Sequence, residues 1–186
     1  MKTQFDVDRI LKKGKIQNEL DFERALITDR KLRVLAKENP KLKTVRKKLR
    51  DLIEAYENNT WTADAEITED KLKESDWAEQ TAEKERVFIQ NRKKLIKSKL
   101  KKLDLSQQDF GVILGHTSKS YMSELMNGVS PFSLKDLVVI SQLLKIDLTD
   151  LVPTFLPEKE RIKIKTSIKK LDNPKISLSE DDFALT

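Results

Sequence analysis

The sequence predicts an all-α protein, and three observations predict it. Charged residues make up 37% of the chain, only four glycines and five prolines occur in 186 residues, and apolar residues recur at three- and four-residue steps. A β architecture would need a denser supply of turn formers. At this length the chain holds one ordinary domain with extensions, or two small ones, and no large enzyme core.

Residues 1–60 read as a helical hairpin. Phe22, Ala25, Leu26, Leu32, Leu35 and Ala36 fall within one arc at 100° per residue, and Asn39-Pro40 ends that helix. Leu42, Val45, Leu49, Leu52, Ile53 and Tyr56 form a second stripe, closed by Asn58-Asn59-Thr60. Two such stripes bury little alone, so the unit is expected to pack on its own C-terminal domain or on another chain. Residues 61–85 read as an acidic linker and the start of a long helix. Apolar residues are sparse through Glu74, a short turn at Thr68 aside, and Ser75-Asp76 gives a capping signal before Trp77, Phe88, Ile89, Leu95, Ile96, Leu100 and Leu103. Trp61, Trp77 and Phe88 are expected to seal the joint between the two units; anchoring a partner is the other reading.

Residues 86–152 divide into five short helices with named ends. The first stops at Asp104-Leu105. Ser106 caps the second, which turns Phe110, Ile113 and Leu114 inward and ends at Gly115. After the turn His116-Thr117, Ser118 caps a third helix with Met122 and Leu125 on its core side and Gly128 at its end. Ser133 and Asp136 form a variant capping box for the fourth, whose core face is read as Leu134, Leu137, Val138, Ile140, Leu143 and Leu144. Asp147 to Leu151 adds one more turn before Pro153. Residues 153–186 are a C-terminal extension, partly disordered, in which Ile162, Ile164, Ile168 and Leu171 fit helix and strand alike.

Charge is distributed in blocks. Residues 1–60 hold 16 basic and 10 acidic side chains (+6), 61–85 hold 3 and 9 (−6), 86–152 hold 11 and 6 (+5) and 153–186 hold 7 and 6 (+1), giving a net +6. Two basic units flanking an acidic spacer point to a polyanionic partner. There is no cysteine and one histidine, His116, so thiolate zinc sites and Ser-His-Asp chemistry lack the residues they need. No metal or cofactor is expected, and His116 is read as an exposed turn residue. No glycine-rich phosphate loop, signal segment or run of about 18 apolar residues occurs, so a cytoplasmic protein with no membrane partner and no enzyme activity is expected.

Two helices joined by a tight turn, the second with short polar side chains outward, fit a major groove about 12 Å wide. Lys119 can bond a guanine edge or a phosphate, Ser118, Ser120 and Ser123 either, and Tyr121 a thymine methyl or a phosphate. Gln107, at the start of the second helix, can hold a phosphate together with the helix-terminal N–H groups. These six are the candidate DNA contacts. Seven of the eleven residues from Arg92 to Lys102 are basic, which reads equally as a phosphate-binding arm and as a solvated face.

Leu105 to Leu151 resembles the Cro/C1-type (Xre) helix-turn-helix repressors: Leu105-Ser106-Gln107 matches their Leu-Thr-Gln opening, and Ser118 to Gly128 aligns without gaps on their recognition segment. The resemblance implies a five-helix lambda-repressor-like domain. More narrowly, Lys119 to Gly128 followed by Ser133-Leu134-Lys135-Asp136, with a helical region in front, is similar to HigA-type antitoxins. That likeness implies a homodimer that silences a RelE/HigB-like messenger-RNA-cleaving toxin, with 1–60 as the partner contact, and that binds operator DNA as an autorepressor. Two departures stand out. Glu124 occupies a position where many of these repressors have an arginine, and it either accepts from a cytosine amino group or, the preferred reading, faces away. Val129 to Phe132 lacks the basic residues often found there. The alternative is a stand-alone regulator whose N-terminal region senses a ligand or assembles oligomers.

Overall fold

The computed structural model describes residues 5–60, 68–179 and 181–184, and its regular elements among them are nine helices. Three lie N-terminal: α1 (Val7–Lys13), α2 (Glu19–Leu35) and α3 (Leu42–Thr60). A 34-residue helix, α4 (Glu69–Lys102), follows, then α5 (Gln107–Leu114), α6 (Lys119–Asn127), α7 (Leu134–Leu144), α8 (Leu148–Leu151) and α9 (Glu158–Leu171).

The N-terminal unit is more than a hairpin. α1 is opened by Asp6, whose carboxylate accepts from the backbone N–H groups of Asp8 and Arg9, and its Val7 and Ile10 are buried with Phe5, Ile16 and the predicted stripe residues of α2 and α3. Phe22 and Tyr56 stack at 5.0 Å between ring centres. α3 continues through Asn58-Asn59-Thr60. The third wall comes from the first half of α4, which packs along α2 with Ala78, Thr81 and Ala82 buried.

That packing corrects the expected linker. The N-cap is Thr68, whose hydroxyl accepts from Lys71 N–H, and the helix runs through Ser75-Asp76 without a break. A helix so rich in acids holds because one side is covered: Arg24 of α2 meets Glu85 of α4 in a buried two-point ion pair, Nε to Oε2 at 2.7 Å and Nη2 to Oε1. Burial pushes the Glu85 carboxyl up despite its partner. Of the aromatic residues read as a seal, Trp61 lies outside the described residues, Trp77 is 43% exposed, and Phe88 packs edge-on against Phe155 beyond α8.

The second core gathers Ile96 and Leu100 of α4 with Phe110, Leu114, Met122, Leu125, Met126, Phe132, Ile140, Leu144, Ile146 and Leu151. The five expected helices form with their expected ends, but their core faces are narrower than the periodicity suggests. Ile113, Leu134, Val138 and Leu143 are exposed, Leu134 by 76%. α5 buries Phe110, Gly111 and Leu114 and α7 buries Asp136, Ile140 and Leu144, and much of the remaining apolar face of each stays at the surface. Val129, just past α6, is buried in the N-terminal core and not in the second one. In the extension, the ambiguous isoleucine pattern resolves as the helix α9, and the Leu156 N–H bonds to the Phe183 carbonyl at 3.2 Å.

Candidate nucleic-acid interface

α5 and α6 are set at their angle by backbone contact. Gly111 sits where they cross: a Cβ there would lie 2.7 Å from the His116 carbonyl oxygen and 2.8 Å from Met122 Cγ. Any side chain would force the pair apart. Glycine in the middle of a helix costs about 0.5–1 kcal/mol, and that cost was the sequence signal for this crossing. Gly115 then ends α5 with φ 85°, and the His116 N–H bonds to the Gly111 carbonyl at 2.7 Å. At the far end of α6, Gly128 (φ 66°) lies against Ile89 of α4, where a Cβ would come within 2.8 Å of Ile89 Cδ1. Lys93 Nζ donates to Asn127 Oδ1 at 2.6 Å across the same joint.

His116 is not the exposed turn residue expected. It is half-buried, its Nε2 lies 3.1 Å from Asp136 Oδ1, and its ring meets that of Tyr121 edge-on at 5.3 Å. Asp136 is 2% exposed and caps α7 through Ser133. Burial alone would raise its carboxyl, but the bonds from Ser133 and His116 outweigh it and hold the group below the usual range. One carboxylate therefore fixes the turn, the start of α7 and the tilt of the Tyr121 ring.

The six candidate contacts divide. Gln107 is the first residue of α5 and half-buried. Ser118 is exposed, but its hydroxyl already accepts from the Tyr121 N–H at 3.2 Å as the cap of α6. Lys119 is exposed and Tyr121 is 39% exposed. Ser120 and Ser123 are half-buried, and Ser123 is turned toward Asn127, whose Nδ2 donates to its carbonyl at 2.7 Å. The helix thus offers Lys119 and Tyr121 most freely, while the Ser118 hydroxyl is committed to the cap and Ser120 and Ser123 are recessed.

The field around these side chains is more negative than the composition of α6 suggests. Glu124 is half-buried on the same helix, and its carboxyl is raised by burial and by Asp8 of α1. The Tyr121 hydroxyl is raised by burial, Asp136, Glu124, Asp6 and Asp8. The acids of α1 are neighbours that a two-helix hairpin over residues 1–60 does not include.

The basic run at the end of α4 also divides. Arg92 is 2% exposed, donates to the Leu151 carbonyl at 3.0 Å and lies 5.3 Å above the Phe132 ring, with burial holding its guanidinium down at about 10. Lys99 Nζ lies 3.4 Å from the Lys145 carbonyl. Lys94, Lys97, Lys101 and Lys102 remain exposed. Among the described residues no group of three or more His, Cys, Asp or Glu could hold a metal ion, and no helix is long and apolar enough to cross a membrane.

Residues 96–151, under a third of the chain, match a family described as Helix-turn-helix. The match supports a Cro/C1-type helix-turn-helix in this segment; the domains of that family are DNA-binding regulator domains and generally non-enzymatic. No curated protein and no solved structure matches the chain.

Proposed function

We propose that the chain is a sequence-specific DNA-binding repressor that reads its operator with α6, and that it is the antitoxin of a toxin-antitoxin module regulating its own operon. The observation that carries the DNA reading is the exposure of Lys119 and Tyr121 on a capped helix held rigidly by Gly111, His116 and Gly128. Lys119, Ser118, Ser120 and Ser123 reach a base edge or phosphate, Tyr121 a thymine methyl or phosphate, and Gln107 holds a phosphate at the start of α5. Dimerisation is supported by Leu134 and Val138, one turn apart on α7 and both exposed. The antitoxin reading is supported by the resemblance of Lys119 to Asp136 and by the helical unit in front, whose residues 1–60 would meet the toxin.

The test is a titration of the full chain against operator and random duplexes. Lys119→Ala with Tyr121→Ala should abolish the preference for operator, since a good base contact discriminates by about 1–3 kcal/mol, while leaving the fold intact. Retained selectivity would overturn the assignment of α6 as the reading helix. For the antitoxin part, co-purification from the native host of a small nuclease with residues 1–60 is the expected result.

A second reading has its own observation. A cleft of about 380 Å³ lies between α1, α2 and α4, lined among others by Phe5, Ile10, Leu20, Trp77 and Arg24. Its size and mixed lining suit a small amphipathic molecule, which favours a ligand-sensing regulator. Saturable quenching of Trp77 by such a molecule, with a matched change in operator affinity, would establish that reading.

A further inference from the structure

The turn between α2 and α3 opens onto a groove of about 540 Å³ lined by Arg33, Lys37, Lys43, Arg46, Lys47 and Arg50, with Asp51 and Glu54 at one end. Of the six cations only Arg46 is neutralised, by Asp29 on α2, Nε to Oδ1 at 2.8 Å and Nη2 to Oδ2 at 3.2 Å. The other five are exposed and make no ion pair among the described residues, although the chain carries 31 acidic residues and Asp51 stands four positions after Lys47. Like charges gathered this closely repel, and the fold leaves that repulsion unrelieved.

We propose that this groove is a second, sequence-independent site for the phosphodiester backbone of duplex DNA, separate from α6. The lining excludes the other common occupant of a groove. A protein partner is normally anchored by buried aromatic or aliphatic side chains, and here the only apolar residues are Ala36 and Pro40. A phosphate backbone needs charge and little shape. From Lys43 to Arg50 the helix rises about 10 Å, over which a duplex presents about six phosphates. The site also supplies what the α6 face lacks, since Glu124, Asp136, Asp6 and Asp8 surround that face with negative charge. The groove's affinity does not depend on α6 selecting an operator, so the two assignments stand or fall separately.

The experiment measures binding of the full chain to a random-sequence duplex of about two helical turns at several salt concentrations. The comparison is wild type against Lys43→Gln/Lys47→Gln/Arg50→Gln. All three positions are exposed and glutamine keeps their helix propensity. The slope of log K against log salt should fall in magnitude by about 2.7, about 0.9 for each lost contact. That removes about 40-fold of the affinity change between 50 and 200 mM salt. Unchanged affinity and slope in a variant that melts like wild type would overturn the groove while leaving operator reading by α6 intact. Conversely, a chain with no operator preference whose triple variant still loses slope would retain the groove and overturn the repressor reading. Tighter binding of single-stranded RNA than of duplex, weakened by the same three substitutions, would overturn duplex DNA as the occupant. Should the triple variant melt early, Lys43→Gln/Lys47→Gln alone is expected to lower the slope by about 1.8, and no change there overturns the proposal.

Discussion

The chain has two basic helical runs, and they have opposite fates. In α4, seven of the eleven residues from Arg92 to Lys102 are basic, yet Arg92 is buried and Lys93 and Lys99 are tied to neighbouring elements. In α3, five of the nine residues from Leu42 to Arg50 are basic, and all but Arg46 stay exposed with no ion pair among the described residues. Charge density along the sequence does not decide availability; register does. Arg92, Ile96 and Leu100 stand four apart, so Arg92 lies on the very stripe that enters the core. In α3 the buried stripe is Leu42, Leu49 and Ile53, and the cations fill the complementary face.

The comparison can be broken most sharply at Arg92. Arg92→Ala leaves the Leu151 carbonyl short of a charged donor and uncovers the Phe132 ring. It should destabilise the fold by about 3 kcal/mol, against about 0.5 kcal/mol or less for Lys47→Ala. Equal urea midpoints for the two variants would refute the distinction.

Lys31, where α2 faces α4, gives the next largest effect. Burial and the nearby cations Arg92, Arg86 and Lys93, only partly offset by Glu85, lower its ammonium to about 8. Its folded value lies below the unfolded value of about 10.4, so between pH 8 and pH 10 the unfolded chain binds the extra proton and stability rises with pH. The rise should be about 2 kcal/mol by pH 10. Lys31→Met should be more stable than wild type at pH 7, with the difference vanishing toward pH 10. A constant difference across that range would contradict this.

The smallest effect falls on the reading face. With the Glu124 carboxyl raised by burial and Asp8, acidification should neutralise it at a higher pH than an ordinary glutamate and tighten operator binding. Removing one charge near phosphate is worth about 1 kcal/mol, about fivefold in affinity. Glu124→Gln should bind more tightly at pH 7 and lose that pH dependence. Weaker binding by the variant would instead mark Glu124 as a base contact.

Most of the helix-turn-helix segment was legible because its signals are local. Ser106, Ser118, Ser133, Gly115 and Gly128 each act within one turn of where they stand, and each does so in the structure. What escaped depends on distant partners. Ser75-Asp76 looks like a helix start until α2 covers Ala78, Thr81 and Glu85 and makes it an interior turn. His116 looks idle until Asp136, twenty residues on, takes its Nε2. Leu134 and Val138 look like core residues because periodicity marks an apolar face without saying how much of it a neighbour will cover. Among the candidate contacts, the exposure of Lys119 and Tyr121 could be read from the pattern alone. The acidic surroundings supplied by Asp6 and Asp8 could not, since they come from the opposite end of the chain.

The 34 residues of α4 form a rod about 51 Å long. One end is clamped in the N-terminal bundle and the other carries Ile96 and Leu100 into the domain that presents α6. No turn interrupts it, so a molecule gripping the first sixty residues acts on a lever already bolted to the far domain. Ala78, buried where α4 runs along α2, and Ile89, which lies under Gly128, stand about three turns apart on that one unbroken helix.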